Sequence, residues 1–268
     1  MLPSEAAIIS VASVSAIFFF LPNDFWKDPN PINSYWAGFS AADACIEKRQ
    51  NNHYSYHLFL GMEDKIHIQR FIYDCGHTGK IEQRKTSSRG KISSACGVRI
   101  NNDKWGLDLK TVFNLEPNKT YRLGCPNLGG DYLHLCWLIG YTCGDGCIKY
   151  NPQGFPSISY VSSSRSVLEW IKNITERLFP YKLRNRQNNI TKDSVYNSWH
   201  YVINGIQAAI MIDYLRHFPI PKLIRKWEKP FILRLIEEKY KAKWPHLFEQ
   251  FNKENTVKIP LISPIQVL

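Results

Sequence analysis

The chain has 268 residues, room for one large domain or two small ones, with 44% aliphatic and aromatic residues to fill a core and an ordinary 21% charged. Lys and Arg outnumber Asp and Glu by 34 to 23, a net +11, which favours polyanionic partners, nucleic acid first and an anionic membrane second. Seven cysteines at no disulfide-like spacing set aside a stapled scaffold and read as reduced thiols in a reducing intracellular compartment: an organelle matrix, a nucleus or a bacterial cytoplasm.

Ala6 to Leu21 is nearly unbroken apolar sequence. It is short for a membrane span and has no basic leader region, the first lysine being Lys27. A helix packed on the body, or a remnant of an upstream reading frame, is expected, and no membrane partner. Pro22, Pro29 and Pro31 close the segment off. A helix then runs from Asn33 to about Asp43, with Asn33 or Ser34 as its cap and small residues at Ala37, Gly38, Ala41 and Ala42 that let another backbone approach. Strands follow at Cys45 to Gln50 and His53 to Leu60, the second alternating with Tyr54, Tyr56 and Leu58 on one face. Glu63 to Asp74 reads as a helix, Lys80 to Thr86 and Ala95 to Asn101 as a hairpin, and Lys104 to Phe113 as a short helix.

After a Gly-rich connection at Pro126 to Gly130 the order repeats. A helix covers Leu133 to Asp145, and strands cover Cys147 to Tyr150 and Ser157 to Val161. Ser164 opens an amphipathic helix with Val167, Leu168, Ile171, Ile174 and Leu178 on one side, stopped by Pro180. Tyr181 to Lys192 with Ser198 to Asn204 gives a second hairpin, and Ala208 to His217 the closing helix. From Trp227 a helical extension presents Ile232, Leu233, Leu235 and Ile236.

Each half is led by a copy of the same stretch. Tyr35 to Ile46 reads YWAGFSAADACI, and Trp137 to Ile148 reads WLIGYTCGDGCI. Without a gap they align Gly38 with Gly140, Phe39 with Tyr141, Ser40 with Thr142, Asp43 with Asp145, Cys45 with Cys147 and Ile46 with Ile148. Two copies make a duplicated domain rather than a solenoid. A lone Asp at a helix end is an ordinary polar residue. A matched pair, placed against the helix macrodipole, points to a compensating cation.

WAGFSAADA and LIGYTCGDG resemble two copies of the signature of the LAGLIDADG homing endonuclease family, and the resemblance covers roughly residues 33 to 225. It implies an α+β fold of two pseudo-symmetric αββαββα domains, each with a four-stranded antiparallel saddle-shaped sheet, packed through the two motif helices. The expected boundaries are an apolar extension at 1–30, a first domain at 31–125, a linker at 126–130, a second domain at 131–226 and a helical extension at 227–268. The implied activity is site-specific cleavage of double-stranded DNA by a monomer, in the setting of intron homing. Mg²⁺ or Mn²⁺ is implied at Asp43 and Asp145, with the carbonyls of Ala42 and Gly144 completing coordination. Two departures stand in the first copy: Ala41 replaces the signature's first acid, and Ala44 replaces its final glycine.

The family's use of basic and amide groups around its metals makes Lys119, Lys222, Gln83 and Gln187 further catalytic candidates. Glu47, Arg49, Gln83 and Lys85 in the first sheet, and Lys149, Arg184, Arg186, Asn188 and Lys192 in the second, are the candidates for contacting DNA. For each, a solvated strand face or a phosphate contact is the plainer reading. An intron RNA maturase, or a nucleic-acid-binding protein without cleavage on the same scaffold, is the rival function, and retention of both acids argues against it. A membrane-associated protein using residues 6–21 is the third reading.

Overall fold

The computed structural model describes residues 22–88, 91–151, 153–181 and 189–255. The apolar run from Ala6 to Leu21 lies outside them. Among the described residues no helix is long and apolar enough to cross a membrane.

The first half runs α1 (Pro31–Asp43), β1 (Cys45–Lys48), β2 (Tyr54–Gly61), α2 (Lys65–Asp74), β3 (Glu82–Ser88), β4 (Lys91–Asn101) and α3 (Asp103–Phe113). The second runs α4 (Asp131–Gly144), β5 (Cys147–Tyr150), β6 (Pro156–Ser162), α5 (Arg165–Leu178), β7 (Thr191–Lys192), β8 (Trp199–Asn204) and α6 (Gly205–Arg216). Each half makes one antiparallel sheet, ordered β1-β2-β4-β3 and β5-β6-β8-β7. The expected α+β architecture of two αββαββα units is therefore present. Several boundaries move by one to four residues, as in β4, which begins at Lys91 rather than Ala95; of the strand expected at Tyr181 to Lys192, only Thr191–Lys192 is strand among the described residues, and 182–188 lie outside them.

The two repeat helices sit at the centre. Residues Asn33 to Ala41 of α1 and Leu135 to Cys143 of α4 are all buried, the mark of a helix surrounded by protein. They touch backbone to backbone. A methyl group added at Gly38 would lie 1.9 Å from the Trp137 carbonyl oxygen, and one at Gly140 would lie 1.9 Å from that of Tyr35. The matched glycines are the contact itself. Each repeat helix is then tied to its own sheet by an equivalent bond: Ser40 Oγ meets Tyr56 OH at 2.7 Å, and Thr142 Oγ1 meets Tyr160 OH at 2.9 Å.

The cap of α1 differs from the expectation. Asn30 is the N-cap: its side chain accepts from the amides of Ile32 and Asn33, and Asn33 Oδ1 accepts from the Asn30 amide at 2.8 Å, a reciprocal capping box with Pro31 at the first helical position. Pro31 therefore starts the helix instead of holding it off. Upstream, Phe25 and Trp26 are wholly buried among Tyr56, Phe71, Trp105 and Phe113, so the first core begins ahead of residue 31.

After α6 come α7 (Ile224–Trp227), α8 (Pro230–Leu235), a π-helical turn (Ile236–Lys241) and α9 (Pro245–Asn255). They pack on the second half. Trp227 Nε1 donates to Cys143 Sγ at 3.2 Å, Lys229 Nζ donates to the Ile148 carbonyl at 2.7 Å, and Phe251 stacks on Phe179. Of the apolar side expected there, Ile232 and Ile236 are buried, while Leu233 and Leu235 are only partly covered.

Candidate active site

Asp43 closes α1 and Asp145 follows α4 directly, so the packed axis carries both carboxylates to one end. Each then runs into the first strand of its own sheet. Two clefts open there, one on each side of the helix pair. One is lined by Asp145, Lys119, Ala42, Tyr141, Ser162 and Ser198. The other is lined by Asp43, Gly144, Asp64, Arg84 and Arg225. Each acid thus shares its cleft with the residue before the acid of the opposite helix: Ala42 with Asp145, and Gly144 with Asp43. The approach is close, since a Cβ at Gly144 would stand 3.0 Å from Asp43 Oδ2.

Both acids are open to solvent along this groove, yet protein surrounds them on their other sides. Loss of water around Asp43, then the charge of Asp145, raises its pKa to about 6, although Lys226 and Lys119 pull it down. Burial likewise raises Asp145, against the pull of Lys119 and Lys226 and a hydrogen-bonding interaction from Tyr141. Two carboxylates that resist ionisation side by side make a place where a further cation is welcome.

The lysines that answer them are half-buried. Lys119 Nζ donates to the Ala41 carbonyl at 2.6 Å and reaches the Ala42 carbonyl at 3.3 Å. Lys226 Nζ donates to the carbonyl of Gly144, to that of Gly146 at 2.9 Å and to that of Thr142 at 3.4 Å. Each covers the carboxyl end of its own half's repeat helix, where orphan carbonyls need donors. Burial lowers the pKa of both ammonium groups, while the acids hold them up. Lys226, not Lys222, is the counterpart of Lys119. Lys222 turns away from the acids: its Nζ donates to the Phe218 carbonyl and reaches that of Ile220 at 3.3 Å, and burial brings its pKa down to about 8 beside Cys143, Glu228 and Cys136.

Cys143 is a packing residue whose sulfur accepts from the Leu223 amide and the Trp227 indole. Among the described residues, no group of three His, Cys, Asp or Glu side chains could enclose a metal ion. What the groove offers is two carboxylates, each sharing its cleft with the residue that precedes the acid of the opposite helix. That donor set fits a hard, hydrated divalent cation, which keeps several waters, and not a soft metal that needs thiolates or imidazoles.

Strand register decides which of the other candidates can join them. On β2, Tyr54, Tyr56, Leu58 and Leu60 enter the core, so Ser55, His57 and Phe59 form the outer face. That face continues through Cys45 and Glu47 on β1, Arg99 and Gly97 on β4, and Glu82 and Arg84 on β3. Glu47 and Arg49 are exposed there, Glu47 being 3.6 Å from His57 Nδ1. Gln83 and Lys85 are also exposed but on the opposite face, where Gln83 pairs with the buried Cys96 and Lys85 with Ser94. Arg84 takes the place expected of Gln83. It lies 3.6 Å over the Phe59 ring and lines the Asp43 cleft. In the second sheet Lys149 is exposed opposite Ser157 on the outer face, but Lys192 pairs with Trp199 and sits over its ring on the other side. Arg184, Arg186, Gln187 and Asn188 lie outside the described residues.

Arg225, like Lys226 and Arg84, lies outside the residues that the sequence singles out. It holds Asp64 through two bonds, Nε to Oδ1 at 2.8 Å and an NH2 to Oδ2 at 2.5 Å, tying the second half to the first at the rim of the Asp43 cleft.

Comparison with known proteins bears on the fold. Residues 133–210 match the family model described as a LAGLIDADG-like domain. Among solved structures, the homing endonuclease I-WcaI bound to its DNA recognition sequence is similar at a TM-score of 0.51 and 15% identity, over 76% of this chain and 90% of that one. A point variant of I-SmaMI is similar at 0.50 and 14%, over 85% of this chain and 99% of that one. At such identities the likeness is one of fold. No curated protein matches the sequence.

Proposed function

We propose that this chain, a LAGLIDADG protein with two motif helices, is a site-specific endonuclease that cuts both strands of double-stranded DNA as a monomer. The observation that carries the reading is the crossed pair of acids: Asp43 with Gly144, and Asp145 with Ala42, each in its own cleft with its own cationic side chains, at the join of two sheets. A binding-only protein gains nothing from setting two carboxylates side by side where each costs the other free energy.

In this reading Asp43 and Asp145 hold divalent cations, Mg²⁺ or Mn²⁺, with the Ala42 and Gly144 carbonyls as further oxygen donors. When bound, such an ion would activate water and neutralise charge building on the phosphate. Lys119 and Lys226, their pKa values lowered by burial, stand by each acid to stabilise negative charge and to move a proton. Glu47, Arg49, Arg84, Arg99 and Lys149 on the outer strand faces meet the duplex. Arg is suited to guanine edges, and phosphate contacts set the register.

The test is selection of a target from a randomised duplex library, followed by incubation with and without Mg²⁺. Recovery of one long cut site whose cleavage stops with EDTA supports the reading. Tight DNA binding with no cut site under any divalent ion would sink it.

A further inference from the structure

The repeat is symmetric in its acids but not in the residue one turn before them. Tyr141 stands four residues ahead of Asp145 on the same helix face, whereas Phe39 stands four residues ahead of Asp43. Tyr141 is fully buried, its ring stacked on Trp137 at 5.2 Å. Its hydroxyl makes no hydrogen bond of full geometry, an uncommon state for a buried phenol. The hydroxyl faces the Asp145 cleft, where it interacts with the Asp145 carboxylate and the Ser162 hydroxyl. Phe39 is instead enclosed by the rings of Tyr35, Trp36 and His67 and has no polar atom to offer Asp43. The clefts differ accordingly. Beside Asp145 stand Lys119 and the hydroxyl residues Thr120, Tyr141, Ser162, Ser163 and Ser198, whereas beside Asp43 stand Glu63, Asp64, Arg84 and Arg225 with Ser93 and Ser94.

We propose that Tyr141 is a positioning residue for Asp145, and that it makes the two cutting centres unequal. The buried hydroxyl, which faces the Asp145 carboxylate, would donate to it and fix its orientation when Asp145 holds a cation. Asp43 has no such partner at Phe39. The strand that depends on Asp145 is therefore cut first, and the strand that depends on Asp43 second. This inference rests on the endonuclease reading above and deepens it.

The experiment uses the full chain and Tyr141→Phe, which removes one oxygen and leaves the stacked ring. Each DNA strand is end-labelled, and the strand served by Asp145 is defined as the one whose cleavage Asp145→Asn abolishes. Ca²⁺ binding to the protein, an oxygen-seeking probe, is followed separately by calorimetry. In the wild type the Asp145 strand is expected to be nicked first. Tyr141→Phe is expected to slow that strand about tenfold or more, to leave the other within about twofold, and to weaken one of two Ca²⁺ sites. A structural role in the shared helix pair would slow both strands alike, and that result, or no change in either, overturns the proposal. A wild type that binds Ca²⁺ and cuts DNA but ignores Tyr141→Phe overturns this inference alone. A wild type that neither binds Ca²⁺ nor cuts DNA removes the endonuclease reading and this inference with it.

Discussion

Lys222 and Lys226 are one helical turn apart in number and have opposite fates. Only Lys226 reaches the end of α4 and the acids. Lys226→Met is expected to lower the cleavage rate by about a hundredfold or more, within the usual range for a proton-transfer group, while Lys222→Met leaves it within a few-fold. Single-turnover rates on the selected target check this. Sequence alone could not choose between the two, because both lie in a basic run after Pro219 and Pro221, and the choice depends on where the chain turns. Asp43 gives a pH prediction. Its carboxyl is raised from 3.8 unfolded to about 6 folded, so the folded state binds the proton more tightly. Without metal, the part of the stability that Asp43 contributes is fully present below about pH 4 and is lost as pH rises through about 6. Asp43→Asn should remove that loss, a gain of about 1 kcal/mol at pH 8 once the carboxylate's exposure is discounted. Urea midpoints at pH 4 and pH 8 in EDTA measure it.

At the scale of elements, the motif helices were legible because an apolar stretch with a matched glycine and a matched acid occurs twice, and backbone contact between two helices has no other economical explanation. Gly38→Ala should therefore do damage out of proportion to one methyl group. Its Cβ meets the Trp137 carbonyl oxygen, which cannot turn aside as a side chain would. A loss of about 3 kcal/mol in urea unfolding is expected, the upper part of the overpacking range, whereas Ala41→Gly should cost about 1 kcal/mol. The face of β3 was not legible. Glu82, Gln83, Arg84 and Lys85 are all polar, so no alternation sets the parity, and an error of one residue exchanges Gln83 for Arg84. The cap at Asn30 was missed for a related reason, since proline marks both a break and a first helical turn.

Over the whole molecule, the proposed function requires that the +11 charge and the two four-stranded sheets gather a duplex through its phosphates. Binding should then weaken steeply with salt. With about six to ten phosphate contacts, affinity should drop about 10³–10⁵-fold between 50 and 200 mM, as fluorescence anisotropy on the selected target would record. The measurement that tests the central claim most directly is strand-resolved cleavage of that target by the full chain, Asp43→Asn, Asp145→Asn and the double variant in Mg²⁺. Two acids serving two strands predict that the wild type makes a double-strand break and that each single variant nicks a different strand or stops cutting. The double variant should be inert, and all four proteins should bind the target comparably in the absence of divalent ions. If both single variants still cut both strands at the wild-type rate, the crossed acid pair is not the active site.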